Sequence, residues 1–239
     1  MERLIGTGNV RKITLLNQGG EKLVFDLGFH DGDSAIFYLR NYHKVIGIEC
    51  NPYLQEVNKN KFHKHLEDGS LILVNKCISE KDFDNIPFYI SKTLDIWSSA
   101  NRSIAERVEE SEKVFVETIT LSTLINKYGC PYYCKIDIEG NDVLAVRSLK
   151  GLSEIPRIIS VEADCLGKGE TKKINMLDEL KNVGYVKFFI VDQRYNIDFR
   201  FDFSKHYEWY SYEEASEQLN KLEKEDFDYG VWADIYATY

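Results

Sequence analysis

The sequence has no long apolar run and no basic tract, and it is poor in proline, methionine and cysteine. Its longest apolar stretches, such as LILV at 71–74 and FFIV at 188–191, stop far short of the ~20 residues that cross a bilayer. No membrane span is expected, and MERLIGTGNVRKITLLNQGG at the start lacks the continuous apolar core of a secretory signal. Lys and Arg total 30 against 39 Asp and Glu, a formal charge of −9. Without a cationic stripe to follow a phosphate backbone, nucleic acid is excluded as a general partner. The five cysteines, at 50, 77, 130, 134 and 165, are odd in number and contain no CxxC pair. They suit core thiols of a reduced, cytoplasmic protein better than a disulfide framework or a metal cluster. A chain of 239 residues with 4 Pro is expected to fold as one domain, 1–239.

Seven stretches rich in β-branched and aromatic residues read as strands: 23–28, 44–49, 71–75, 132–138, 157–163, 185–192 and 231–237. Helical periodicity separates most of them, over 34–41, 53–66, 121–128, 141–149 and 172–183. Strands apolar at nearly every position, joined by crossover helices, predict a parallel sheet covered on both faces, the doubly wound α/β arrangement. Short extra strands are expected at 86–90 and 114–118. From 195 to 229 aromatic and acidic residues crowd together (FRFDFSKHYEWYSYEE, then NKLEKEDFDYG), which predicts an insertion before the last strand.

The segment VFDLGFHDGDS puts a glycine turn between the first strand and the first helix, where open α/β sheets bind ligands. Gly28 permits the tight turn and Gly32 a close approach, their backbone N–H groups are expected to face a cofactor, and Ser34 is expected to cap the helix. Glu49 ends the next strand 23 residues after Asp26, near the ~20-residue offset at which a carboxylate accepts ribose hydroxyls. Turn and acid together indicate a nucleoside cofactor. A nicotinamide dinucleotide needs bare backbone for its pyrophosphate, yet His30 interrupts the glycines and Asp31 and Asp33 flank Gly32. Those acids favour S-adenosylmethionine (SAM), which has no phosphate and carries a sulfonium and an ammonium. An NAD(P)-dependent oxidoreductase stands as the alternative.

Four segments, VFDLGFHDGDSAIFYL, KVIGIECNPYL, VETITLSTLINKYG and CKIDIEGNDVLAVRSL, resemble the successive motifs of the FkbM-like methyltransferases, a branch of the class I SAM-dependent enzymes. The resemblance runs over about 21–192, with KIDIEG its most specific piece. Phe29 and His30 stand where that family commonly has Ala and Asn, while Asp26, Gly28 and Gly32 match. The resemblance implies a Rossmann-like, seven-stranded, mostly parallel sheet with an antiparallel last strand. It also implies that Asp26, Gly28, Phe29, His30, Gly32, Ser34 and Asp137 help hold SAM, with Glu49 on the ribose. Cys50, Asn75, Lys76, Cys77 and Ile78 would line the adenine. The implied reaction is O-methylation of a sugar, glycan or secondary metabolite; a non-catalytic carbohydrate-binding relative is a further alternative.

Methyl transfer to a hydroxyl is an in-line displacement that needs an aligned acceptor and a base. Asp137 and Glu139 alternate with Ile136 and Ile138 at a strand end and are the expected bases, unless they merely satisfy the turn and the following helix. His30 is a third candidate. Trp97, Ser98, Glu162, Trp209 and Tyr210 are the expected acceptor contacts. Asp137, Glu162 and Asp164 offer oxygen ligands of the kind Mg²⁺ prefers, but the expectation is activity without a metal.

Overall fold

The structure, a computed structural model, describes residues 21–41, 43–92, 97–106, 110–163, 176–196, 198–224 and 233–239. Seven strands form one sheet: β1 (Leu23–Leu27), β2 (Lys44–Ile48), β3 (Leu71–Val74), β7 (Tyr133–Ile136), β8 (Ile158–Glu162), β9 (Lys187–Asp192) and β10 (Ala233–Thr238). Their order is β3-β2-β1-β7-β8-β10-β9. β1, β2, β3, β7 and β8 run parallel, and β10 runs antiparallel to both of its neighbours. The doubly wound sheet with a reversed last strand is therefore present. Chain direction across the sheet reverses between β1 and β7, the topological switch point where such sheets bind ligands.

Alternation along the strands sends side chains to two apolar layers. On one face Phe25, Leu27, Ile46, Ile136, Ile159 and Val161 meet α5 (Leu121–Tyr128), α6 (Asp142–Arg147) and α7 (Met176–Val183), with α8 (Tyr212–Lys224) beyond. On the other, Val24, Val45, Tyr133, Ile158 and Tyr236 pack on α1 (Asp33–Arg40), on Phe62 and on Phe201. The aromatic segment supplies the outer part of this second layer: Phe201 is fully buried and stacks on Tyr207 at 4.5 Å.

The helix read from 53 to 66 is two helices, α2 (Pro52–Lys61) and α3 (His63–Glu67), which meet at Phe62. Asn51 caps α2 by accepting from Tyr53 N at 3.0 Å, and Pro52 occupies its first position. The extra strands belong to a separate three-stranded sheet, β4 (Cys77–Ile78), β6 (Ser111–Ile119) and β5 (Asn85–Ser91). A short helix, α4 (Arg102–Ala105), lies between β5 and β6 in the chain. Ser34 does not cap α1: the cap residue is Gly32, in left-handed backbone, with no side-chain hydrogen bond.

Candidate active site

A cavity of about 390 Å³ opens over the carboxyl ends of β1, β2, β7 and β8, a volume in the range of small-ligand sites. Its floor is the contact between the two strands at the switch point. Gly28 has φ +83°, and a Cβ there would stand 1.8 Å from Asp137 O; Asp137 N in turn donates to Leu27 O at 3.0 Å. Glycine thus serves the approach of two chain segments at this point. Gly32 serves packing likewise, since a Cβ would strike the rings of Phe62 and Phe29. The amides of the turn are committed within the protein: Gly28 N and Phe29 N donate to Ile48 O, and Gly32 N donates to Phe29 O. This corrects the expectation that they face a cofactor.

Glu49 is held rigidly at the end of β2. Its Oε2 accepts from His30 N at 2.8 Å and its Oε1 from Asn51 N at 2.7 Å. Burial raises its pKa, while those two backbone donors oppose the rise. A carboxylate oxygen can accept a second hydrogen bond, and Glu49 lies on the cavity wall, so it has the capacity to accept a pair of ligand hydroxyls. Asn75 Nδ2 donates to Glu49 O at 2.7 Å and to Cys50 O at 3.2 Å, so Asn75 positions this turn from outside the cavity wall. Cys50 and Cys77 form a disulfide with Cα atoms 4.7 Å apart. That overturns the reading of these two as free thiols; Cys130 and Cys134 are free. Two strand ends that are distant in sequence bring the pair together, and no local spacing shows it.

KIDIEG delivers the acids. Asp137, Glu139 and Glu162 bring carboxylate oxygens within 4.8 Å of one another. The turn after β7 is capped by Asp142, whose oxygens accept from Ile138 N at 3.2 Å and Gly140 N at 3.1 Å. The turn amides of Ile138 and Gly140 are thus met by Asp142 and not by Asp137. Glu139 adopts left-handed backbone, φ +52°, and its carbonyl accepts from Ser99 Oγ at 2.6 Å. Lys135 stands between two acids, with Nζ 2.9 Å from Asp137 Oδ2 and 3.7 Å from Asp26 Oδ1. Asp26 is 1% exposed, and at that separation from Lys135 neither of its oxygens has a hydrogen-bond partner. Burial pushes its pKa up, with Lys135 opposing. Burial likewise lifts Glu162 well above the usual carboxylate range, and Asp137 and Glu139 add to it.

The family whose pattern matches the chain is described as "Methyltransferase FkbM domain", over residues 26–187. The chain belongs to that family. It is a SAM-dependent methyltransferase, and the nicotinamide alternative is set aside. No curated protein matches the sequence. Among solved structures the chain is similar to a SAM-dependent methyltransferase from Archaeoglobus fulgidus, with 11% identity, coverage of 92% of this chain and 87% of that one, and TM-score 0.44. It is also similar to a precorrin-6y C5,15-methyltransferase from Geobacter metallireducens, with 11% identity, coverage of 93% and 82%, and TM-score 0.39. Likenesses of that distance carry no argument about substrate.

The residues of this FkbM-family methyltransferase fit SAM on chemistry as well. The cavity wall carries Asp31, Asp33, Glu49, Asp137, Glu139, Glu162 and Asp234 against Lys76, Lys135 and Arg200, an acidic surround suited to a cationic ligand without phosphate. Of the expected contacts, Gly28, Phe29, His30, Ser34, Glu49, Cys50, Cys77, Ile78 and Asp137 line the cavity; so do Glu139, Ser98 and Glu162. Asp26, Gly32, Asn75 and Trp97 are not on its wall. Asp26 lies beneath Lys135, and Ser99 rather than Trp97 ties its segment to the site. Asp164 lies outside the described residues.

Trp209 and Tyr210 are also not on the wall. Trp209 packs against Phe189 and Phe201, with ring centroids 6.3 and 6.1 Å away, and Tyr210 pairs its backbone with Phe188. Their expected acceptor role is thus corrected to packing: Trp209 joins Phe199, Phe201, Phe203 and Tyr207 in one apolar layer, and Tyr210 joins the other. Phe199 and Arg200 are its members on the cavity wall. The sequence reading missed Lys135, Gln193 and Asp234 there. A signal existed for two of them, because Lys135 and Asp234 are charges set inside apolar strands, where burial of a charge demands a partner or a function.

Proposed function

We propose that the enzyme transfers the methyl group to a hydroxyl oxygen of a small acceptor, a sugar, glycan or secondary metabolite, and that it acts in the cytoplasm. The observation that carries the reading is the convergence of Asp137, Glu139 and Glu162 at the ends of β7 and β8, facing the cavity. When bound, SAM supplies an electrophilic methyl group. Glu49 accepts hydrogen bonds from the ribose, and the Cys50 and Cys77 side carries the adenine. Asp137 or Glu139 takes the hydroxyl proton as the new bond forms. Glu162, whose carboxyl is pushed well above the usual carboxylate range by burial and by its acidic neighbours, stands beside them to orient the acceptor. A carboxylate base is what a hydroxyl needs and a neutral amine does not, which favours oxygen as the nucleophile. Phe199 and Arg200 form the outer acceptor wall. Cytoplasmic location accords with Cys130 and Cys134 remaining free.

The test is incubation with isotopically labelled SAM and fractions of sugars, glycans and small metabolites, followed by NMR of the labelled methyl. A methyl ether is the expected product. A methylamine, or label on carbon, would overturn the assignment to oxygen.

A further inference from the structure

Two cysteines sit inside the cavity wall, and the chemistry proposed above uses neither sulfur. Cys50 follows Glu49, and Cys77 is the first residue of β4. Their Cα separation of 4.7 Å is within the span a disulfide bridges, about 4.4–6.8 Å. The bond joins two structural units. On one side is the β2 end, where Glu49 N donates to Val74 O at 3.0 Å. On the other is the small sheet, whose apolar cluster contains Cys77, Phe88, Ile90 and Val116, with Cys50 packed against it. Cys77 is 3% exposed, whereas Cys50 is half-buried and open to a reagent entering the cavity.

We propose that Cys50 and Cys77 form a reversible thiol–disulfide exchange site that sets cofactor affinity, the disulfide state binding tightly and the dithiol state weakly. The inference rests on the placement of SAM in this cavity. A small or protein dithiol attacks the Sγ of Cys50, the less buried of the two residues. The Cys50–Cys77 bond breaks as a mixed disulfide forms, and the Cys77 thiolate leaves and takes up a proton. The second thiol of the reagent attacks the mixed disulfide, releasing Cys50 as a thiolate that is protonated in turn. The reagent ends as its own disulfide, and its two electrons reside on the two protein thiols; a disulfide oxidant runs the sequence backwards.

The disulfide fixes the distance between the Glu49 turn and the Lys76–Ile78 wall, the two surfaces that must grip one nucleoside. A pre-formed site binds more tightly because less freedom is lost on binding. Reduction removes the disulfide between them and leaves the hydrogen bonds from Asn75 Nδ2 to Glu49 O and Cys50 O. The other described thiols are poor exchange partners: Cys134 is fully buried, and burial pushes Cys130 up to about 11.

S-adenosylhomocysteine is the probe. Air-oxidised protein alkylated without reductant should yield Cys50 and Cys77 in one linked peptide by mass spectrometry. Calorimetry should show the Kd for S-adenosylhomocysteine rising about fivefold or more once a dithiol has reduced the pair. By reciprocity, saturating ligand should make the pair harder to reduce, moving its midpoint about 20 mV more negative for a fivefold effect. The double variant Cys50→Ser, Cys77→Ser should bind like the reduced wild type and ignore the dithiol. Alkylation of both cysteines without reductant, or equal affinity in the two wild-type states, overturns the exchange site and leaves the cofactor cavity standing. Failure of the ligand to bind either state overturns the cavity assignment and the exchange site with it.

Discussion

Glu49 ties the His30 and Asn51 amides together, and in the proposed binding mode the same carboxylate accepts the ribose hydroxyls. Glu49→Ala should weaken S-adenosylhomocysteine binding by roughly 1–3 kcal/mol, the worth of a charged acceptor, and an unchanged Kd by calorimetry would remove it from the ribose. Asp137 and Glu139 face the same cavity with different surroundings. Lys135 holds Asp137, whereas Glu139 is aimed by left-handed backbone and the Ser99 contact. Asp137→Asn or Glu139→Gln should lower kcat about 10²-fold or more for whichever is the base, with cofactor affinity within a few-fold. Wild-type turnover in both variants would pass the role to His30. Lys135 already places a cation beside the acids, so activity is expected to persist in excess EDTA. Loss that Mg²⁺ restores would instead make Asp137, Glu139 and Glu162 metal ligands.

The crossing of the β1 turn and the β7 turn is the element on which the site depends. Gly28 permits left-handed backbone against Asp137 O, so Gly28→Ala meets both a conformational penalty and a backbone clash. The expected loss is about 2–5 kcal/mol of stability, measured by urea unfolding, and wild-type stability would show that the two turns can part. The same element explains which part of the site is legible along the chain. DLGFHDG, the Glu49 strand end and KIDIEG are contiguous runs at strand ends, so their chemistry is local and readable. The disulfide, the Ser99 contact and the Lys135–Asp26 pair join residues from different strands, and no spacing rule encodes them. The aromatic segment misled for a related reason. Period-two alternation marks which rings share a face without saying whether that face meets solvent or the sheet.

Across the whole molecule, the acids around the cavity are held against burial. Burial first, and Asp137 second, raise Asp142 and Asp234 each from 3.8 to about 6. A carboxyl with a raised folded pKa contributes stability that is fully present below about 4 and lost as the pH climbs through about 6. Wild type should therefore gain stability relative to Asp234→Asn as the pH falls from 7 to 4, by of order 1–2 kcal/mol. Urea midpoints of the two proteins that stay parallel over that range would refute the shift. The arrangement costs stability at neutral pH, and it keeps a negative, partly desolvated surround where a cationic cofactor has to bind.

The sequence by itself determined the sheet, its covering helices and a site for a nucleoside cofactor, because hydrophobic period, glycine punctuation and strand-end acids act over a few residues; the resemblance to the FkbM family is what implied SAM. The order of the strands, and with it the switch point between β1 and β7, came from the tertiary structure. Tertiary structure alone decided that Gly28 is needed for Asp137, that Asp142 is the residue that caps the turn after β7, and that Cys50 meets Cys77. It also packed Trp209 into an apolar layer while leaving Arg200 at the cavity. Each of these depends on distances between segments remote in the chain, which close packing of the two apolar layers sets and local preference does not.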